Sequence, residues 1–200
     1  MCNTVTHDLP VETTAVPAMR PAAPEHVTLL VNPSARHGAG ARVAEDAARA
    51  LRDAGVHIDV LVGHDAVEAA DLAGKAARGS SDALAVVGGD GTVRLAVEAT
   101  IGTGTPLAVI PAGSGNDVAR TLGIPLGDPR AAAEVIVGGH RRQMDLGRVT
   151  FPDGRSALFT TVAATGFDAS VTERAIGMSW PRGQARYTIC LLYTSPSPRD

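Results

Sequence analysis

Short apolar runs alternate with stretches of helical periodicity from residue 26 to about residue 140 of the chain. The run 83–87 is continuously apolar, which is typical of a parallel strand buried on both faces. After the first apolar run, residues 26–31, small apolar residues recur at steps of three and four, as on the buried face of a helix. The pattern predicts strands over 26–31, 56–62, 83–87 and 106–110. It predicts helices over 41–54, 66–78, 92–100, 118–122 and 129–137.

This alternation of strands and helices with short connections predicts an α/β domain built on a doubly wound parallel sheet. Ligands of such sheets bind outside the carboxyl ends of the strands. The loops that follow the first, third and fourth predicted strands should therefore converge at one edge of the sheet. We expect the chemistry of the chain to lie in these three loops.

The pattern changes near Met144. Two strand-like stretches, 144–150 and 156–164, are joined through Pro152-Asp153-Gly154, which is a hairpin signal. Short helices are predicted further on, over 167–176 and 183–189. We expect residues 26–143 to form the α/β domain and residues 144–189 to begin an antiparallel β domain that stays incomplete.

The two ends of the chain follow neither pattern. Residues 1–25 contain four prolines and no periodicity, so we expect a disordered tail. Residues 190–200 are what one reading frame of a common transposon sequencing adapter encodes, and we expect them to be an artefact.

Composition excludes several classes of protein. A net charge of −3 offers no basic face for a nucleic acid, so we expect no nucleic-acid partner. Two cysteines rule out a disulfide framework and a cysteine-rich zinc site. No apolar stretch is long enough to span a membrane and no secretory signal is recognisable, so we expect a cytoplasmic protein.

The loop after the third predicted strand reads Gly88-Gly89-Asp90-Gly91-Thr92. Glycines at a strand end let the backbone approach a ligand, and the following helix start favours an anion. Asp90 is suited to hold Mg²⁺ that bridges phosphate oxygens, or to accept a hydroxyl proton. Thr92 can cap the helix and donate to a phosphate. A tight turn with an ordinary Asp cap is the alternative.

The loop after the fourth predicted strand repeats this design. Gly113 and Gly115 expose backbone amides, while Ser114 and Asn116 offer side-chain donors. Asp117 can cap the next helix. The alternative is that Asn116 and Asp117 only cap that helix.

The loop after the first predicted strand is a weaker signal. Asn32, followed by Pro33, can hydrogen-bond a nucleotide base or the neighbouring loop. Gly38 and Gly40 leave room for an adenosine or its phosphates. The spacings that define a P-loop, a dinucleotide fingerprint and a nucleophile elbow are all absent from the chain.

Together these loops resemble the catalytic domain of the diacylglycerol kinase family, which includes bacterial soluble lipid kinases and the sphingosine and ceramide kinases. The resemblance covers about Val27 to Ile189. It is carried by Asn32-Pro33, by the glycine-aspartate string 88–92, by the string 111–120, and by the stretches 144–147 and 164–169. The glycine-aspartate string is shared with NAD kinases and phosphofructokinases, whereas Gly-Ser-Gly-Asn-Asp is far more specific.

The resemblance implies an ATP-dependent lipid kinase, with Asp90 in the catalytic, magnesium-facing role. It implies ATP and Mg²⁺ as cofactors and the hydroxyl group of a membrane lipid as acceptor, which the protein reaches by transient peripheral contact with the membrane. A homodimer is possible. The implied nucleotide-binding residues lie in the three loops: Asn32, Pro33, Ser34, Gly38, Gly88, Gly89, Gly91, Thr92, Gly113, Ser114, Asn116 and Asp117.

The chain departs from the family pattern at several positions. Leu95 stands where family members commonly have glutamate, and Val62-Gly63-His64 stands where a threonine near the adenine is common. The family's structural metal site and general base lie at positions beyond Ile189, so we expect this 200-residue chain to have no kinase activity. The alternatives are an NAD or other small-molecule kinase that shares the glycine-aspartate turn, and a non-catalytic nucleotide-binding fragment.

Overall fold

The computed structural model describes residues 22–33, 35–38 and 40–161. The predicted helices over 167–176 and 183–189, the end of the predicted strand 156–164, most of the predicted tail and Ser34 lie outside these residues.

Four parallel strands form the main sheet, as the apolar runs predict. They are β1 His26–Val31, β2 His57–Val62, β3 Ala83–Gly88 and β4 Leu107–Pro111, in the order β2-β1-β3-β4. The strand order reverses between β1 and β3, and such a reversal opens a crevice at the carboxyl ends of the strands. The predicted doubly wound α/β fold is confirmed.

Helices cover both faces of this sheet. They are α1 Gly40–Asp53, α2 Ala66–Ala77, α3 Asp90–Thr100, α4 Asp117–Leu122 and α5 Pro129–Val137, and a 3₁₀ helix, Ala35–Gly38, precedes α1. On one face, α1 and α5 pack small side chains such as Ala47 and Ala132 on Leu29 and Val87. On the other face, α2, α3 and α4 pack around Leu30 and Val86. Alternate side chains of each central strand therefore enter opposite cores.

Capping residues explain where two of the helices begin. Asp65 caps α2 as predicted, since its carboxylate accepts hydrogen bonds from the amides of Val67 and Glu68, both at 2.8 Å. Asp128 caps α5 in the same way. Helix α3 begins at Asp90 and not at the predicted Thr92, because Gly89 in extended backbone takes the N-cap position.

A short antiparallel hairpin follows the α/β domain, as the Pro-Asp-Gly signal predicts. Strand β5, Gly147–Thr150, pairs with β6, Ser156–Phe159. Gly154 turns the chain with a φ of +82°. Strand β5 begins three residues later than the prediction of 144–150, and residues 144–146 lie outside it.

Residues 22–25, which the sequence pattern assigns to the tail, are tied to the domain. The amide of Ala22 donates to the carbonyl of Gly139 at 3.3 Å. Asp82 accepts hydrogen bonds from the amides of Glu25 and His26, both at 2.9 Å. These two bonds hold the pKa of Asp82 below its usual value, and the bond from the amide of His26 has the larger effect.

We expect Asp82→Ala to destabilise the protein at neutral pH and to matter less in acid. A carboxyl whose pKa is lowered by folding stabilises the protein above its unfolded pKa, near 3.9, and this contribution is lost as the pH falls through the lower folded value. Urea unfolding of both proteins between about pH 7 and pH 3 measures the difference. A stability difference that stays constant over that range would contradict the role of the ionised carboxylate.

Candidate active site

The three predicted loops meet at the carboxyl edge of the sheet. Beyond β1, the amide of Asn32 donates to the carbonyl of Val87 at 3.1 Å. Beyond β4, the amide of Ala112 donates to the carbonyl of Gly88 at 2.9 Å. The sheet ladder thus continues past the strand ends, so that the loops after β1, β3 and β4 start side by side.

The first and second of these loops are joined by a pair of side chains. The Nδ2 of Asn32 donates to the Oγ1 of buried Thr92 at 3.3 Å. The sequence predicts that Asn32 meets a base or the neighbouring loop, and the structure places it on the loop. Thr92 was expected to cap α3 but lies inside its first turn. A Cβ on Gly88 would lie 2.5 Å from the Thr92 Oγ1, so the strand end must be glycine.

The first glycine turn, residues 88–92 after β3, and the second, residues 113–116 after β4, touch each other through their backbones. A Cβ on Gly113 would lie 2.5 Å from the Cα of Gly89, and a Cβ on Gly89 would lie 3.0 Å from the Cα of Gly113. Real Cβ atoms essentially never approach backbone as closely as 2.5 Å, so Gly113 cannot carry a side chain without separating the turns, and a side chain on Gly89 would push them apart by a few tenths of an ångström. The two motifs that the sequence singles out therefore form one structural unit.

Asp90 lies across this junction and reaches the second turn. Its Oδ1 accepts a hydrogen bond from the amide of Val118 in the first turn of α4, at 3.2 Å. Its Oδ2 faces Gly115, where a Cβ would lie 2.8 Å away. The Oδ2 of Asp117 would lie 3.9 Å from the same Cβ position. Oxygens of two carboxylates thus lie within 4 Å of the Cβ position of Gly115.

The Asn116 side chain is bonded within its own turn. Its Oδ1 accepts from the amide of Gly113 and its Nδ2 donates to the Gly113 carbonyl, both at 2.9 Å. The sequence predicts a side-chain donor to a nucleotide at this position, and this amide group is already engaged. Asp117 is the first residue of α4, not its cap, and its carboxylate accepts from Arg120 at 3.2 Å.

An open space lies beside the first glycine turn. Apart from the adjoining backbone of its own helix, no atom of the described residues lies within 4 Å of a Cβ built on Gly91, and Gly91 is exposed. Gly89, the N-cap of α3, provides no side-chain hydrogen bond to the amides of the first helical turn. Ser114 is exposed on the second turn. Amides at a helix start that face open space are suited to an anion.

The loop after β1 is shaped by glycine. Gly38 has a φ of +95° and ends the 3₁₀ helix, with open space around its α-carbon. Gly40 begins α1 against the carbonyl of Asn32, where a Cβ would lie only 2.3 Å away. The sequence predicts that both glycines leave room for a nucleotide. The room beside Gly40 is filled by Asn32, whereas that beside Gly38 is open.

Arg120 is a part of this site to which the sequence assigns no role. Its guanidinium donates to the carbonyl of Gly115 and to the carboxylate of Asp117. The spacing of three residues between Asp117 and Arg120 within a helix is the signal that predicts such a pair. Arg120 therefore holds the second turn from outside.

Residues 22–33, 35–38 and 40–161 offer neither a cluster of metal-ligating side chains nor a membrane-spanning helix. No group of three or more His, Cys, Asp or Glu side chains lies close enough there to hold a metal ion. No helix in that part of the chain has the length and apolar character needed to cross a membrane.

Known proteins resemble this chain over the region that contains the three loops. The family model described as the diacylglycerol kinase catalytic domain matches residues 26–149. Diacylglycerol kinase of Mycobacterium tuberculosis is 45% identical over 166 residues, which are 83% of this chain and 54% of that protein. Diacylglycerol kinase of Bacillus subtilis is 39% identical over 84 residues, 41% of this chain and 28% of that protein.

A solved structure agrees with the sequence matches. The crystal structure of a diacylglycerol kinase from Bacillus anthracis superposes with a TM-score of 0.57 at 28% identity, covering 68% of this chain and 46% of that one. The chain thus spans about half the length of the relatives that it matches. With a family model matched over more than half of its residues, the chain belongs to the diacylglycerol kinase catalytic-domain family.

Proposed function

We propose that this chain is the nucleotide-binding part of an ATP-dependent lipid kinase. The complete protein transfers the γ-phosphate of ATP to a hydroxyl group of diacylglycerol or a similar lipid. The observation that carries the proposal is the backbone contact of Gly89 with Gly113, which brings the two glycine turns and Asp90 together at the carboxyl edge of the sheet. Family membership supports the reaction class.

The site fits the phosphates of ATP. Gly91 has open space where a side chain would stand, and the amides that begin α3 have no side-chain cap from Gly89. Backbone amides at this position would donate to phosphate oxygens, as Thr92 and Ser114 would from their hydroxyls. The open loop around Pro33 and Gly38 would lie beside the nucleoside.

The site also fits Mg²⁺ carried by ATP. Asp90 and Asp117 each present a carboxylate oxygen within 4 Å of the Cβ position of Gly115, and oxygen is the ligand that Mg²⁺ takes. Bound there, Mg²⁺ would neutralise negative charge on the transferring phosphate. The protein's own part is to hold these carboxylates in place, which Val118 does for Asp90 and Arg120 for Asp117. Phosphoryl transfer depends mainly on such positioning and charge neutralisation.

The lipid acceptor requires more of the protein than this chain provides. Relatives are about twice as long as the matched region, so we propose that acceptor binding and the general base belong to the further part. Lipid would be reached by docking on the surface of a membrane. The 200-residue chain is then expected to bind Mg-ATP and to phosphorylate no lipid.

The complete gene product, assayed with labelled ATP and diacylglycerol in mixed micelles, tests this function. We expect label in the lipid from the complete protein and none from residues 1–189. NAD and a sugar are tested in parallel, because the glycine-aspartate turn is shared with kinases of small molecules. Label in NAD or sugar with none in lipid would contradict the proposal. Lipid turnover by residues 1–189 would contradict the proposal that acceptor binding and the general base belong to the further part of the protein.

A further inference from the structure

Asn116 has an unusual backbone conformation at the end of the second glycine turn. Its φ of 59° and ψ of 43° lie in the left-handed region, where no other non-glycine residue of the described part of the chain is found. This region is unfavourable for most side chains, although asparagine tolerates it better than other residues. A residue kept there is held by its surroundings.

The side chain of Asn116 closes the turn on Gly113. One hydrogen bond runs to each backbone polar group of Gly113, its amide and its carbonyl, both at 2.9 Å. The two bonds use both ends of the carboxamide, so they fix its orientation. The turn is thereby locked at its first and last residues.

The locked turn determines the position of Asp90. Gly113 is in backbone contact with Gly89, and Gly89 is the residue before Asp90. Two residues after Asn116, the amide of Val118 donates to the Asp90 carboxylate at 3.2 Å. Asn116 therefore lies between the two contacts that hold the carboxylate.

We propose that Asn116 is a positioning residue. By closing the second turn on Gly113, it sets the spacing of the two glycine turns and orients the Asp90 carboxylate toward the Mg²⁺ of the bound nucleotide. Its side chain makes no hydrogen bond to the nucleotide itself. This inference rests on the proposed function.

Asn116→Gly tests the inference, because glycine adopts the left-handed conformation freely while both side-chain bonds are lost. The dissociation constant of a fluorescent methylanthraniloyl-ATP is measured with the 200-residue chain, in EDTA and in saturating Mg²⁺. Mg²⁺ should tighten binding to the unaltered chain. In Asn116→Gly this gain should fall about tenfold while the Mg-free constant changes by less than about twofold.

Further variants test whether the effect passes through the Gly113 contact and separate it from a general loss of stability. Gly113→Ala, whose Cβ would lie 2.5 Å from the Cα of Gly89, should reduce the Mg²⁺ gain to a similar extent. The double variant should lose no more than either single variant, since both act through the same contact. Asp128→Ala, which removes two cap bonds of α5, should lower the melting temperature and leave the Mg²⁺ gain unchanged.

Each remaining outcome counts against the inference. If Asn116→Gly weakens binding equally with and without Mg²⁺, Asn116 donates directly to the nucleotide. If neither constant changes, Asn116 positions nothing. If the unaltered chain binds no nucleotide in either condition, the proposed function fails and the inference fails with it.

Discussion

Asp90→Asn is expected to lower phosphate transfer by the complete protein about a thousandfold or more while the fold persists. Asparagine keeps an Oδ1 atom that can accept from the Val118 amide, so the contact between α3 and α4 survives. Its neutral amide lacks the negative charge of a carboxylate, so it is a much weaker ligand of Mg²⁺. Initial rates with labelled ATP measure transfer, and circular dichroism melting measures folding.

Asp128→Asn is the matched control for this prediction. It makes the same chemical change in a carboxylate that accepts hydrogen bonds from backbone amides at the start of α5. Asparagine is also a good N-cap, so both stability and transfer should stay near normal. Near-normal turnover by Asp90→Asn would refute the magnesium-facing role of Asp90.

Gly91→Ala should produce a stable protein that binds ATP at least about tenfold more weakly. In the part of the chain that the structure describes, the added methyl group meets no atom within 4 Å outside the adjoining backbone of α3, so packing there is undisturbed. Alanine within the first turn of α3 is expected to leave stability unchanged or to raise it by up to about 1 kcal/mol. The methyl group would occupy the space that we assign to the phosphates. Urea unfolding and methylanthraniloyl-ATP binding measure the two effects.

Gly88→Ala provides the contrast within the same turn. Its Cβ would lie 2.5 Å from the Oγ1 and 2.6 Å from the Cβ of Thr92, so we expect a loss of about 1–3 kcal/mol of stability through overpacking. ATP binding by Gly88→Ala would also weaken, because the turn would become disordered. Unaltered ATP affinity in Gly91→Ala would show that the open space is not the phosphate site.

Much of the fold follows from local patterns that the sequence displays directly. The continuously apolar run that forms β3 predicts a central parallel strand, and Asp65 predicts the start of α2. The start of α3 does not follow in the same way. Gly89 takes its N-cap position without any polar side chain, so the sequence offers no cap signal there.

The site could be located from sequence more readily than its contacts could be assigned. Glycines at strand ends predict the two turns, because glycine permits backbone conformations and close approaches that other residues do not. The use of the Asn116 side chain depends on a left-handed backbone that residue type alone does not reveal. Gly40 likewise suggests room for a ligand, but its space is taken by the carbonyl of Asn32. Both contacts depend on the folded course of the backbone, which residue type alone does not determine.

Hydrogen exchange with and without Mg-ATP tests the central claim, that the two glycine turns form one binding site for the phosphates. We predict slower exchange in both 88–92 and 113–118 when Mg-ATP is added to the chain, and no change in the solvent-facing half of α2. Mg-ATP binding that protects neither turn, or only one of them, would contradict the account.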